Sequence, residues 1–207
     1  MRKILLFIGI CAMAVFISSA CSAADMYFSV KTGVTVPADS DATFAGGDSA
    51  TFEFDPGVSV MCAIGGQINE RMRIEPELAY QKNDLDQASS SGASASADGD
   101  LTSISFLTNF YYDFINESPF TPYLSAGIGF AQIEVDDIAS AVLTESIGSD
   151  EDTVFAYQFS GGIGWALGER VTLDFSYRYY ATEEPHFTPA DSEFKSHNLY
   201  AGARFSF

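Results

Sequence analysis

From Met26 onward, apolar and polar positions alternate with a period of two, the spacing of β-strands rather than of helices. In "TVFAYQFSGGIGWAL" one set of alternate positions holds Phe155, Tyr157, Phe159, Ile163, Trp165 and Leu167. The other holds Ala156, Gln158, Ser160, Gly162, Gly164 and Ala166. Segments of this kind predict eight strands, at residues 26–36, 52–68, 72–81, 101–114, 121–135, 153–167, 170–182 and 194–207. The connections alternate in length: 37–51, 82–100, 136–152 and 183–193 are long, whereas 69–71, 115–120 and 168–169 are short. Long loops at one end and tight turns at the other describe an up-and-down antiparallel meander.

Side-chain size then decides which face is inside. An eight-stranded barrel has an interior only just wide enough to be filled by side chains, so the Gly, Ala and Ser face must point in and the aromatic face out. Those outward faces lack the Lys and Glu of a water-facing surface, and aromatic belts suit lipid. The expected fold is therefore all-β, an eight-stranded antiparallel up-and-down transmembrane β-barrel. Tyr80, Tyr112, Trp165 and Tyr179, near strand ends, are expected at the bilayer interfaces. Pro76, on the outward face of "RIEPELAY", removes one ladder donor and is expected to mark a bulge or the strand's membrane boundary. The run "QASSSGASASADGD" is expected to be a flexible loop.

The first residues carry a different pattern. Arg2 and Lys3 precede an apolar run and a small-residue stretch ending near Ala23 and Ala24, the layout of a cleaved signal peptide. The expected organisation is residues 1–24 as signal and 25–207 as barrel. A retained anchor or a lipoprotein signal at Cys21 are the weaker alternatives. With 10 basic against 28 acidic residues the net charge is −18, and loss of Arg2 and Lys3 makes it −20, which argues against nucleic acid as a partner.

The "RIEPELAY" strand, "NFYYDF" before a short turn, "PYLSAGIGF" after it and the terminal "YAGARFSF" resemble the small eight-stranded outer-membrane β-barrels of Gram-negative bacteria, among them the OmpA transmembrane domain, OmpX and the opacity-type surface antigens. The resemblance implies an outer-membrane location, with termini in the periplasm, long loops outside and lipid with lipopolysaccharide as surroundings. It also implies an assembly signal in the last strand for the barrel-assembly machinery, which Tyr200, Gly202, Phe205 and Phe207 match, Tyr200 departing mildly at a polar position. With no periplasmic domain after Phe207, peptidoglycan anchoring is not expected.

Three constellations could carry function. The inward face holds Lys31, Arg73, Glu75, Glu77, Asp113, Asp174, Arg178 and Arg204, four of each sign, expected to form a salt-bridged plug or, alternatively, an ion gate. Arg178 is expected to pair with Asp174, Glu75 or Glu77. His186 and His197 remain as candidate catalytic bases, but Leu199 stands where lipid A deacylases carry a serine, so a lipid-modifying enzyme is the least favoured reading. Twenty of the 28 carboxylates fall at the long-loop end, with Lys82 and Lys195 almost alone against them. Among them Asp136, Asp137, Asp150, Glu151 and Asp152 are candidates for weak calcium or magnesium contact; no other cofactor is expected. The expected function is non-enzymatic, an envelope-structural or surface-interaction role through acidic loops, with a narrow channel as alternative.

Overall fold

The computed structural model describes residues 26–38, 40–44, 49–90, 93–140, 150–183, 185, 190–191 and 194–207. For 40–44, 49–53, 87–90, 93–94, 96–98, 136–140, 150 and 190–191 it describes the backbone. The expected signal segment and His186 lie outside the described residues.

The strands, in chain order, are β1 (Met26–Pro37), β2 (Ser40–Phe44), β3 (Ser49–Phe54), β4 (Gly57–Asn69), β5 (Met72–Ser90), β6 (Ala93–Asp113), β7 (Phe120–Ser140), β8 (Asp150–Ala166), β9 (Val171–Thr182), β10 (Ala190–Asp191) and β11 (Lys195–Ser206). Eight of them, β1, β4, β5, β6, β7, β8, β9 and β11, close an antiparallel barrel. The seam joins the two ends of the chain, from Tyr27↔Ser206 to Pro37↔Ser196, and the Phe207 N–H donates to the Met26 carbonyl at 3.0 Å. No described helix is long and apolar enough to cross a membrane. Closure leaves no unpaired edge within the barrel wall, which is what lets strands span hydrocarbon.

Three expectations are corrected. The predicted strand 52–68 is two pieces lying end to end along β5, broken at Asp55–Pro56, because Pro56 has no N–H to continue the ladder. The run expected to be a flexible loop instead prolongs β5 and β6 into a hairpin paired from Gln87↔Ser96 to Ser90↔Ala93. Small Ser and Ala side chains obstruct neither form, and a ladder already running in the barrel extends without a new loop-closure cost. Pro76 marks no bulge: the β4–β5 register is the same on both sides, Ala63↔Glu77 and Gly66↔Ile74, and pairing lapses only between them. The long connection after β1 also holds ordered strands, since β2 pairs with β3 and with β10.

The register fixes the barrel's tilt. From Leu199 one path of paired residues runs through Val34, Val58, Lys82, Thr102 and Glu134 to Glu151 on β8. The opposite path runs through Tyr177 to Gly161. The two arrive ten residues apart, so strands spaced about 4.8 Å and rising about 3.3 Å per residue tilt by roughly 40°. With that offset spread over eight strands, Tyr80, Phe130, Tyr157, Tyr179 and His197 share one height, and Tyr112, Phe120, Trp165 and Phe205 another nearer the short turns. Phe120 and Trp165 stack at 5.7 Å, and Tyr112 meets Phe114 edge-on at 5.1 Å. Between the two belts the outward face is apolar and open, with Leu124, Ile128, Phe159 and Leu199 each more than half exposed.

Inside, bulky side chains lie across from glycines. Tyr27 pairs with Gly65, Tyr123 with Gly162, Tyr200 with Gly33, Asn109 with Gly127, Leu107 with Gly129 and Lys31 with Gly202. Each large group crosses the space that its partner's missing Cβ leaves free. A Cβ on Gly162 would stand 2.5 Å from the Phe175 carbonyl oxygen and 2.6 Å from the Tyr123 ring. Gly162→Ala is therefore expected to lower stability in detergent by about 1–3 kcal/mol through overpacking, read by thermal unfolding. Gly161→Ala, one residue away and facing out, has Leu124 Cδ2 at 3.3 Å as its nearest neighbour and is expected to cost far less.

Candidate functional site

The alternation of β1, β5, β6, β9 and β11 drives all eight predicted lumen charges inward, and all but Arg204 are buried below a tenth exposure. Near the short-turn end, Arg73 grips Asp113 through two bonds, Nε to Oδ2 at 2.7 Å and Nη2 to Oδ1 at 2.9 Å. Its third nitrogen donates to the Tyr27 hydroxyl at 2.8 Å, and its guanidinium lies 4.3 Å from the centre of the Tyr111 ring. Asp174 draws two cations, with Lys31 Nζ at 3.2 Å from Oδ1 and Arg204 Nε at 2.6 Å from Oδ2, and also accepts from the Tyr123 hydroxyl. The Arg204–Asp174 contact is an ion pair at close range rather than an aligned hydrogen bond.

At mid-height Arg178 binds Glu77 across the barrel through two bonds, at 2.9 and 2.7 Å. Asn109 adds a third donor to Glu77 at 2.9 Å and itself accepts from Gln158. The Tyr200 ring lies 4.9 Å from the guanidinium, and the Tyr200 hydroxyl sits 2.7 Å from that of Ser59. Of the three partners expected for Arg178, the structure thus selects Glu77. Asp174 is held by Lys31 and Arg204, and Glu75 is held by hydroxyls: Tyr27 donates to it at 2.7 Å and Tyr111 at 3.0 Å.

Sequence reasoning missed two parts of this interior. Tyrosines act as the neutral donors that satisfy carboxylates, which a count of charges does not register. Above the charges apolar side chains enter the lumen among neutral polar ones, with Leu85, Leu101, Ile133, Val135, Val154 and Phe194 buried at the long-loop end beside Asn83 and Thr182. The period-two pattern held that signal, because Leu101 shares the inward face of Ser103 and Ser105. Charged layers lie below and a layer of mixed apolar and polar side chains above.

The long-loop rim is less gathered. Lys82 donates to Asp100 at 2.8 Å, and that bond holds the Asp100 carboxyl below the usual carboxylate range. Register sets Asp150 opposite Val135, Glu151 opposite Glu134 and Asp152 opposite Ile133, while the side chains of Asp136, Asp137 and Asp150 lie outside the described residues. Glu151 already accepts from Gln132 at 2.5 Å, and Asp152 accepts from the Thr153 N–H at 2.7 Å. Among the described residues no three His, Cys, Asp or Glu side chains converge on a metal position.

His197 faces outward on β11, with its Nδ1 2.6 Å from the Tyr177 hydroxyl and its ring stacked on Tyr177 at 6.0 Å. Ser196 is turned inside, where Asn198 donates to it at 3.1 Å. Of the four residues matching the assembly signal, Phe205 and Phe207 are exposed on the outer wall. Tyr200 and Gly202 belong to the lumen, Gly202 making room for Lys31.

Arg178→Ala leaves Glu77 with the Asn109 amide alone, so stability in detergent is expected to fall by about 3–5 kcal/mol in chemical unfolding. The double replacement Glu77→Leu, Arg178→Met is expected to recover most of that loss, because no charge is then left buried without a partner.

Residues 8–207 match the family model described as the outer membrane protein beta-barrel domain. Outer membrane protein PagN of Salmonella typhimurium is 28% identical over 117 residues, 49% of this chain and 48% of PagN. Putative adhesin RC1281 of Rickettsia conorii is 33% identical over 129 residues, 55% and 52% of the two chains. The chain spans about half the length of the curated relatives it matches. Among solved structures, Neisserial surface protein A aligns at TM-score 0.53 and 25% identity, covering 87% of this chain and 97% of that one. The outer membrane protease OmpT of Escherichia coli aligns at TM-score 0.57 but 8% identity, over 88% and 97%, a likeness of fold alone. A closed eight-stranded barrel with an apolar outer wall and a charge-paired interior accords with the match over nearly the whole sequence: the chain belongs to the outer membrane protein beta-barrel domain family and resides in the Gram-negative outer membrane.

Proposed function

We propose that the protein is a non-enzymatic surface-interaction barrel, meeting its partner through the β-structure that stands beyond the bilayer at the long-loop end. One asymmetry carries this reading. A tilted strand needs about 9–11 residues to span the hydrocarbon, yet β5, β6 and β7 run for 19, 21 and 21 residues, and β2, β3 and β10 add to the same end. Below that extension the paired charges of the lumen favour a stable support over a conduit. The names of two relatives, a putative adhesin and a surface protein, point the same way. The outward His197, whose polar partner is a tyrosine, speaks against hydrolysis of lipid. In this reading the acidic rim is offset by divalent cations that bridge Asp136, Asp137, Asp150, Glu151 and Asp152 weakly to lipopolysaccharide phosphates.

The test compares cells carrying the intact protein with cells carrying a version trimmed of residues 40–54 and 86–98, both scored for folded barrel by the gel shift between boiled and unboiled samples. Trimming is expected to abolish attachment to host cells or matrix without loss of the shift, and millimolar calcium to slow surface proteolysis of residues 136–152. Stepwise conductance of the purified protein in planar bilayers would instead establish the channel reading.

A further inference from the structure

The barrel wall continues above the rim of its eight strands. The β2–β3 ladder keeps the register of β1–β4, β3–β5 resumes that of β4–β5, and β10–β2 follows β11–β1 with a slip of one residue. β10, β2 and β3 therefore stand above β11, β1 and β4 and, with the upper parts of β5, β6 and β7, shape a cup over the lumen. Register sorts its two faces. Ala42, Phe44, Ala50, Phe52, Ala88 and Ala95 share the face that joins the lumen side through Phe54↔Leu85, and none of the paired positions on it is charged. Asp41, Thr51, Glu53, Gln87, Ser96 and Asp98 share the other. The shift between Glu53 and Phe54 creates this match, because without it Gln87 would stand opposite Phe52. Eight strands enclose a space that only large side chains fill, and alanine is too short to reach its axis. Ala95 and Phe54 stay partly exposed. Below them lie the buried Leu85, Leu101, Ile133, Val154 and Phe194, and beside Phe194 is Thr182, 4% exposed, its hydroxyl without a hydrogen-bond partner. The Thr182 N–H is already given to the Phe194 carbonyl at 3.0 Å. A buried hydroxyl left unbonded is costly, so this floor suits an occupant that carries a hydrogen-bonding group.

We propose that the cup binds a small, uncharged, mostly apolar molecule carrying one hydroxyl or carbonyl group. Its apolar body lies between the phenylalanine positions of β2 and β3 and the alanine positions of β5 and β6, and its polar group meets the Thr182 hydroxyl. A charged ligand is disfavoured, because the lining face offers no counter-charge. Anions are further repelled by the carboxylates of the other face in a chain of net charge −18. The width selects a molecule over a protein segment. Eight strands about 4.8 Å apart at roughly 40° of tilt enclose about 16 Å between backbones, too little for a helix of about 10–12 Å once side chains line the wall. This site does not rest on the surface-interaction reading, whose partner meets the extension from outside.

Solution NMR of the folded protein in detergent micelles, titrated with benzyl alcohol, tests the assignment. The backbone amides of Phe52, Ala88 and Ala95 are expected to shift and saturate, whereas those of Leu124 and Ile128 on the lipid-facing wall report only partition into the micelle and do not saturate. Benzoate, of similar size but anionic, is expected to bind about tenfold more weakly. Ala95→Leu fills the cup and is expected to abolish the saturating shifts, while Ser94→Leu on the opposite face leaves them. If Ala95→Leu shows no gel shift between boiled and unboiled samples, Ala50→Leu takes its place. Thr182→Val keeps the shape without the hydroxyl and is expected to weaken benzyl alcohol about tenfold. Shifts that never saturate, that survive the filled cup or that vanish equally in Ser94→Leu would overturn the proposal. So would equal binding of benzoate, or full affinity in Thr182→Val.

Discussion

Hydrocarbon offers no hydrogen-bond partner to an open backbone, and the whole molecule follows from that. Every N–H and C=O between the two belts must find its mate in a neighbouring strand, so the sheet closes on itself and β11 returns to β1. Eight strands with a ten-residue offset enclose a narrow space. That space has to be packed by side chains, because the outer wall is already committed to apolar contact with lipid. Tilt, alternation and interior crowding are thus three consequences of one constraint.

Crowding explains why glycines and aromatics face each other across the ladders. Tyr27 over Gly65 and Tyr123 over Gly162 use the volume that a methyl group would take, and the tyrosine hydroxyls so placed reach Glu75 and Asp174. Charge in such a space is tolerable only when each group is met from several sides. Glu77 receives Arg178 and Asn109, Asp113 receives two nitrogens of Arg73, and Asp174 receives two cations and a phenol. The interior gains a definite arrangement in which removing one partner exposes another to an unsolvated charge.

The two ends of the barrel differ in what they present. The short-turn end is closed by compact turns such as the one at Asn69, whose side chain accepts from the N–H groups of Arg71 and Met72 at 2.9 and 3.0 Å. At the other end the ladders continue past the bilayer, the lumen loses its charges and the surface becomes acidic. The surface-interaction role proposed above draws on this extended end.

The sequence alone determined the strand class, the count of barrel strands, which face meets lipid and which residues enter the lumen. These are local properties: a side chain's direction in a strand follows from its parity, and parity is readable one residue at a time. Only the tertiary structure decided who meets whom. Arg178 reaches Glu77 on a distant strand rather than Asp174 two residues away, and Glu75 is satisfied by phenols rather than by a cation. Tyr200, which sits at the polar position of the terminal motif, serves the lumen beside Arg178. The split of residues 52–68 at Pro56 depends on β5 lying alongside both pieces, and the strand character of 87–90 and 93–98 on the pairing of β5 with β6, which supplies the hydrogen-bond partners. Register and shear set these outcomes, and both are sums over all eight pairings, which no single stretch of the chain contains.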